Sequence, residues 1–184
     1  MIELKPLKEK RMNHCISVAK LCYDLAIAHG CDPMKAYLSG IFHDVARELP
    51  KETMIALAKS RNIPIGKEER KEPLLLHGAL AAAVMEENYG INDEEILNAV
   101  RRHTVGGETM TVLDKILFLA DKTEPLRTYD GVTELREKAF RQLNAALWEA
   151  VNNEIAYCER MGYPVHPQTI LLKSRLEKEG VTTL

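Results

Sequence analysis

The sequence predicts an all-α fold, a single helical bundle, and three observations carry that expectation. Apolar residues recur at the three-and-four spacing of amphipathic helices, without the alternation of a half-buried strand. Glycine and proline punctuate the chain between these periodic segments. A chain of 184 residues with 46% hydrophobic and 28% charged positions suits one domain with a real core.

The elements follow in order. A first helix is expected from about Leu7 to His29, with Met12, Cys15, Ile16, Ala19, Cys22 and Ala26 on one stripe and Gly30 placed to end it. Asp32 and Pro33 read as an N-cap and a first-turn proline, opening a helix that carries Met34, Tyr37, Leu38, Ile41, Phe42 and Val45 before Pro50. A short helix near Glu52 to Ser60 leads through a charged loop around Gly66 to an alanine- and leucine-rich helix from about Glu72 to Asn88, closed by Gly90. Asp93 opens a helix reaching His103, and Thr104 to Glu108, with two glycines, is a turn. Thr111 caps the segment VLDKILFLADK, which is apolar on most faces and belongs near the centre of the bundle. Glu124 and Pro125 end that helix. A loop to Val132 precedes one long helix from Thr133 to about Met161, whose Leu143, Ala146, Leu147, Ala150 and Ile155 are read as core. Pro164 and Pro167 frame an irregular stretch before a last amphipathic helix holding Ile170, Leu171 and Leu176.

Composition narrows the function. With 25 basic against 27 acidic side chains the net charge is -2, so no cationic excess exists to neutralise a long phosphate backbone, and a nucleic-acid partner is not expected. No apolar stretch near the start has the length of a signal peptide or membrane span, which predicts a soluble cytoplasmic protein without a membrane partner. Cys15, Cys22, Cys31 and Cys158 form no CxxC pair and read as reduced, mostly buried thiols.

Of six histidines, His14, His29, His43, His77 and His103 sit within or at the ends of apolar helices, where a lone histidine is ordinarily a hydrogen-bonded core residue. Together with two acids they outweigh that bland reading. Asp44 in GIFHDVA and Asp121 in ILFLADK lie in mostly apolar stretches, and a buried carboxylate needs a partner that a cation would supply. His43 and Asp44 are neighbours pointing about 100 degrees apart on a helix, an arrangement that suits a chelate with the ion between them. His14 and Asp121 can close the coordination from other helices, and a mixed nitrogen and oxygen set favours Fe, Mn or Zn over Ca or Mg. Such a metal acidifies water and polarises a phosphoryl oxygen, and both effects favour hydrolysis.

The order His14, His43 with Asp44, His77, His103 and Asp121 resembles the HD-domain metal-dependent phosphohydrolases. The blocks RMNHCISVA, GIFHDVARELP, LLLHGALAA, RRHTVGG, ILFLADKTEP and PVHPQT, spread from about Arg11 to Leu171, further resemble the bacterial YqeK family of symmetrical diadenosine tetraphosphate hydrolases. The resemblance implies one HD domain over 1–184, with a metal and nucleotide core at about 7–130 and C-terminal helices at about 133–180 packed on it. It implies one iron held by His14, His43, Asp44 and Asp121, with Asp44 also catalytic. His77 and His103 have two readings under it, as ligands of a second metal or as phosphate-contacting, proton-donating groups beside one iron, and the second suits an ADP leaving group.

Arg11, Arg47 and Arg127 are candidate phosphate ligands; the bland alternative is an exposed surface arginine for Arg11 and Arg127, and pairing with a nearby acid such as Glu48 or Asp44 for Arg47. Thr104 has a hydroxyl suited to phosphate, or it simply ends a helix. Pro164, His166, Gln168 and Thr169 resemble a nucleoside-contacting loop, while Asp24 and His29 match no block and are read as structural. The implied activity is symmetric cleavage of the tetraphosphate to two ADP, the nucleotide partner being a small molecule such as Ap4A, ADP or a GDP-like product. The other readings are an HD phosphohydrolase acting on a deoxynucleotide or guanosine alarmone, an inactive nucleotide-binding regulator, and a plain helical interaction module. A homodimer is left open.

Overall fold

The computed structural model describes residues 1–181, and among these there is no strand. Asp32 does cap α2 (Pro33–Phe42), its carboxylate accepting from the amides of Met34 and Lys35. Thr111 and Asp114 close a reciprocal capping box on α7 (Val112–Thr123). Asp93 caps α6 (Glu94–Arg102) in the same manner as Asp32. The glycines that follow helices take the left-handed conformation that a terminating helix requires, with Gly30 at φ 65° after α1 (Glu9–Ala28) and Gly90 at φ 66° after α5 (His77–Tyr89).

At the centre lies α7, whose Leu113 and Ile116 to Ala120 are all buried. It packs against α1, α2, α6, α8 (Val132–Arg141) and α9 (Leu143–Met161), so a residue near its end reaches the same interior as residues on the first two helices. No described helix is long and apolar enough to cross a membrane.

Several expectations about helix bounds and buried faces are corrected. The second helix stops at Phe42, short of Pro50, and the chain continues through tight turns in which Val45, Arg47 and Leu49 donate to carbonyls three residues earlier. His43 and Asp44 therefore sit on a tightened turn past the helix end, not within a regular helix. Its buried face also differs: Ala36, Ser39 and Gly40 face inward, while Met34 is exposed and Tyr37, Leu38, Ile41 and Phe42 are half-buried. The cause is close packing against α1, for a Cβ on Gly40 would stand 2.6 Å from Ala19 Cα. On α1 the stripe shifts likewise, with Met12 exposed and Val18, Leu21 and Leu25 joining the core.

The helix expected from Glu72 begins only at His77. Pro73 forces Glu72 out of helical geometry (φ -130°, ψ 85°), leaving a short α4 (Lys67–Lys71) and a 3-10 turn (Pro73–Leu76) ahead of α5. The long helix from Thr133 is two, broken at Gln142 (φ -145°, ψ 72°). His29 contributes to the break: its Nε2–H donates at 2.7 Å to the Ala139 carbonyl, which in an uninterrupted helix would accept from Leu143. Between α2 and α4 lies α3 (Lys51–Ser60), and α10 (Pro167–Lys178) closes the described chain. On α10 the buried positions are Thr169, Leu172 and Leu176, with Ile170 and Leu171 exposed.

Candidate metal centre

Three elements deliver the first group of side chains. His14 lies one and a half turns into α1, His43 and Asp44 follow α2, and Asp121 sits in the last turn of α7. Their reactive atoms converge: His14 Nε2 is 3.1 Å from Asp121 Oδ1 and 3.8 Å from Asp44 Oδ2, while His43 Nε2 is 3.5 Å from Asp44 Oδ2 and 3.8 Å from Asp121 Oδ1. His77, opening α5, brings Nε2 to 3.1 Å from Asp44 Oδ1, and His103, closing α6, stands at 3.8 Å from the same oxygen. The six residues that the sequence singled out as one constellation do meet.

The rings are aimed from behind. His43, His77 and His103 donate Nδ1–H to the carbonyls of Gly40, Leu74 and Val100 at 2.7, 2.5 and 2.7 Å, each three residues earlier. A carbonyl only accepts, so in each neutral ring Nε2 carries the lone pair, and it points at the carboxylates. His14 reaches the same tautomer through the Glu124 carboxylate at 3.1 Å. Glu124 is 2% exposed, and sequence reading saw in it only the end of a helix. The signal available was a third acid, Glu124, three residues beyond Asp121 in the same block.

The electrostatics keep both carboxylates charged beside these rings. Burial alone would push the Asp44 carboxyl up, but the adjoining His43 and then His77 hold it far below the usual carboxylate range. Asp121 is likewise held low against its burial, chiefly by His14 and then by the charge of His43. Burial resists charging His43, yet Asp44 and then Asp121 outweigh it and raise its pKa. Burial, reinforced by His77 and His43, drives His103 well below the ordinary histidine value.

His14 Nε2, His43 Nε2 and Asp44 Oδ1 are all buried without a hydrogen-bond partner. Three such atoms are costly unless a cation engages them. Two sets have donor atoms within 4.8 Å of one another: His14, His43 and Asp121, and His43, Asp44 and His103. Nitrogen and carboxylate oxygen of this mixture fit a transition metal.

Around the carboxylates stand the arginines. Arg11 Nη1 donates to Asp44 Oδ2 at 2.6 Å, and Arg127 Nη2 donates to Asp121 Oδ1 at 3.0 Å. Arg47 Nη1 lies 3.0 Å from His77 Nε2 and 3.7 Å from Asp44 Oδ1. Thr104 Oγ1 is 3.3 Å from His77 Nε2 and 3.2 Å from His103 Nε2. The nucleoside-loop candidates are placed differently. His166 Nε2 lies 3.1 Å from Glu69 Oε1 on α4, while Pro164 and Gln168 are exposed. Thr169 is buried and donates its hydroxyl to the Val105 carbonyl at 2.9 Å, which clamps α10 onto the turn that carries Thr104. Its side chain is therefore a support for that turn, not an open hydroxyl.

The HD domain family matches residues 11–126. The symmetrical bis(5'-nucleosyl)-tetraphosphatase of Bacillus subtilis is 36% identical over 165 residues, covering 90% of this chain and 88% of its own. The protein of the same name from Staphylococcus aureus is 34% identical, covering 89% of this chain and 85% of its own. Among solved structures, an HD superfamily hydrolase of Clostridium acetobutylicum described as involved in NAD metabolism superposes with a TM-score of 0.91 at 35% identity, over 94% of this chain and 92% of that one.

Proposed function

The chain belongs to the HD domain family, and from that premise we propose that it hydrolyses diadenosine tetraphosphate symmetrically, consuming one water and releasing two ADP. The observation that carries the reading is the burial of unpartnered His14 Nε2 and His43 Nε2 against the carboxylates of Asp44 and Asp121, beside three arginines. Relatives named for this activity match over most of both chains, which supports the substrate.

In this reading His14, His43, Asp44 and Asp121 hold iron, with manganese or zinc as alternatives. When bound, the ion supplies Lewis acidity toward a phosphoryl oxygen and acidifies water near neutral pH. The protein's own groups do the rest. Arg11, Arg47 and Arg127 receive the anionic polyphosphate on both sides of the carboxylates, and their planar forks match phosphate oxygens. Thr104 offers a hydroxyl beside His77 and His103, and a proton from the attacking water, taken up between those two Nε2 atoms, would pass on to the departing ADP oxygen. Asp44 orients the attacking water through its second oxygen, and the loop with Pro164, His166 and Gln168 contacts a nucleoside. The domain is one unit over 1–184, acting in the cytoplasm on a small nucleotide.

A second reading has its own observation. His103 shares a set with His43 and Asp44, an arrangement that also suits a second ion with His77 nearby. Metal content per chain separates one ion from two. The test of the main proposal is to incubate metal-assayed protein with diadenosine tetraphosphate, with a chelated control, and resolve the products by ion exchange. ADP alone, lost on chelation, is the expected result. ATP with AMP would move the cleavage position, and no cleavage by metal-loaded protein would overturn the substrate.

A further inference from the structure

His43, His77 and His103 each follow a helix end or open a helix, and a carbonyl three residues earlier in the same chain segment fixes each ring. His14 differs. It lies inside α1, where the carbonyls of the preceding turn are engaged in the helix ladder, so its Nδ1–H needs an acceptor from elsewhere. Glu124, 110 residues later, is that acceptor.

The way the Glu124 carboxylate is held says more than helix termination. Both oxygens accept: Oε1 takes His14 Nδ1–H at 3.1 Å, and Oε2 takes the Leu126 amide at 2.7 Å. Arg127 Nε is 3.8 Å from Oε1, and the same arginine donates to Asp121 Oδ1 at 3.0 Å. Arg136 in turn donates to the Glu124 carbonyl at 3.2 Å and to that of Thr123, fixing the backbone from α8. A residue needed only to end a helix would be glycine or asparagine, with no buried charge to satisfy.

We infer that Glu124 is a positioning residue that orients His14 toward the metal and, through Leu126, holds the loop that aims Arg127. This rests on the metal-centre reading given above. An acid on the far nitrogen of a ligating histidine fixes the ring and raises its basicity as a donor, and loss of such a partner commonly weakens metal binding by about 10- to 100-fold. Glutamine has a single acceptor oxygen and no charge, so it can serve His14 or Leu126 but not both.

The test is titration of Co2+ into chelator-stripped protein, followed by its visible d–d absorption, for wild type, Glu124→Ala, Glu124→Gln and His43→Ala. Thermal unfolding of each metal-free protein is measured alongside. The expected result is Co2+ affinity lowered about 10- to 100-fold in Glu124→Ala and by a smaller factor in Glu124→Gln, with an altered band shape and a metal-free Tm for Glu124→Gln close to wild type. A purely structural role would lower the Tm and leave the affinity alone, and that outcome overturns the inference. If Glu124→Ala does not fold, Glu124→Gln decides by the same criterion. Wild-type Co2+ affinity in His43→Ala would sink the metal centre itself. Loss in His43→Ala with wild-type affinity and band shape in both Glu124 variants would sink only the positioning role.

Discussion

The Nε2 atoms of His77 and His103 lie 3.0 Å apart, and each ring donates its Nδ1–H away from the other, to Leu74 and Val100. In neutral rings so tied, two lone pairs face each other, an arrangement that is unfavourable unless a proton, a hydroxyl or a cation lies between. Arg47 and Thr104 both reach this point, at 3.0 and 3.3 Å from His77 Nε2. Under the one-ion reading the pair handles protons and phosphate. His77→Ala and His103→Ala should then lower kcat by about 10²- to 10⁴-fold, the usual worth of a general acid, while metal per chain stays unchanged. Elemental analysis beside steady-state kinetics checks this, and a fall in metal content would establish the second-ion reading.

Direct ligands should behave otherwise. His43→Ala or Asp121→Ala removes a donor from the set His14, His43 and Asp121. Metal retention and turnover should both fall by more than the roughly 10- to 100-fold typical of an outer partner. Helical content should persist, because the centre sits beside the apolar core of α7 without being part of it. Far-ultraviolet circular dichroism with metal assay reads both quantities, and undiminished metal in either variant counts against the assignment.

The cysteines allow a prediction on pH. Burial, with the Asp44 charge next, pushes the Cys15 thiol up to about 12, and burial raises Cys22 well above its ordinary value. At pH 8 the Cys15 thiolate fraction is then on the order of 10⁻⁴, and the thiolate is the reactive form. Folded protein treated with iodoacetamide at pH 8 should leave Cys15 and Cys22 unmodified, with Cys31 and Cys158, which are partly exposed, reacting slowly. Peptide mass mapping against a denatured control shows which thiols react. Rapid labelling of Cys15 in folded protein would contradict the burial described.

How much of this was legible before the fold was known depends on the kind of signal. Caps are local chemistry, and Asp32, Asp93 and Thr111 announced three helix starts correctly. The constellation was legible because acids in apolar segments are rare without partners, and Asp44 and Asp121 stood out for that reason. Faces were harder to read. On α2 the large apolar residues suggested the buried stripe, but Ala36, Ser39 and Gly40 face the core, because contact distance between two backbones is a tertiary property. The break at Gln142 was hidden too, since its partner His29 is far away in sequence. Glu124 lies between the two classes: its spacing from Asp121 is visible in the sequence, but its contact with His14 on α1 is not.

Gly40 joins that packing to the site. Its carbonyl accepts His43 Nδ1–H at 2.7 Å, and a Cβ there would come within 2.6 Å of Ala19 Cα, 2.9 Å of Ala19 N and 3.2 Å of Val18 C. In an ordinary helix interior, glycine to alanine gains roughly 0.5 to 1 kcal/mol. Here the obstructing atoms are backbone, which cannot swing aside, and overpacking of this sort costs about 1–3 kcal/mol. The clash should win, so Gly40→Ala is expected to lower unfolding stability by about 1–2 kcal/mol on balance. Pushing α2 from α1 also separates His43 from His14, whose ring centroids stand 5.2 Å apart, and metal affinity should fall with stability. Urea denaturation of the metal-free protein gives the first quantity and Co2+ titration the second. A Gly40→Ala protein as stable as wild type, with the same affinity, would mean that α1 and α2 are not in the close contact described.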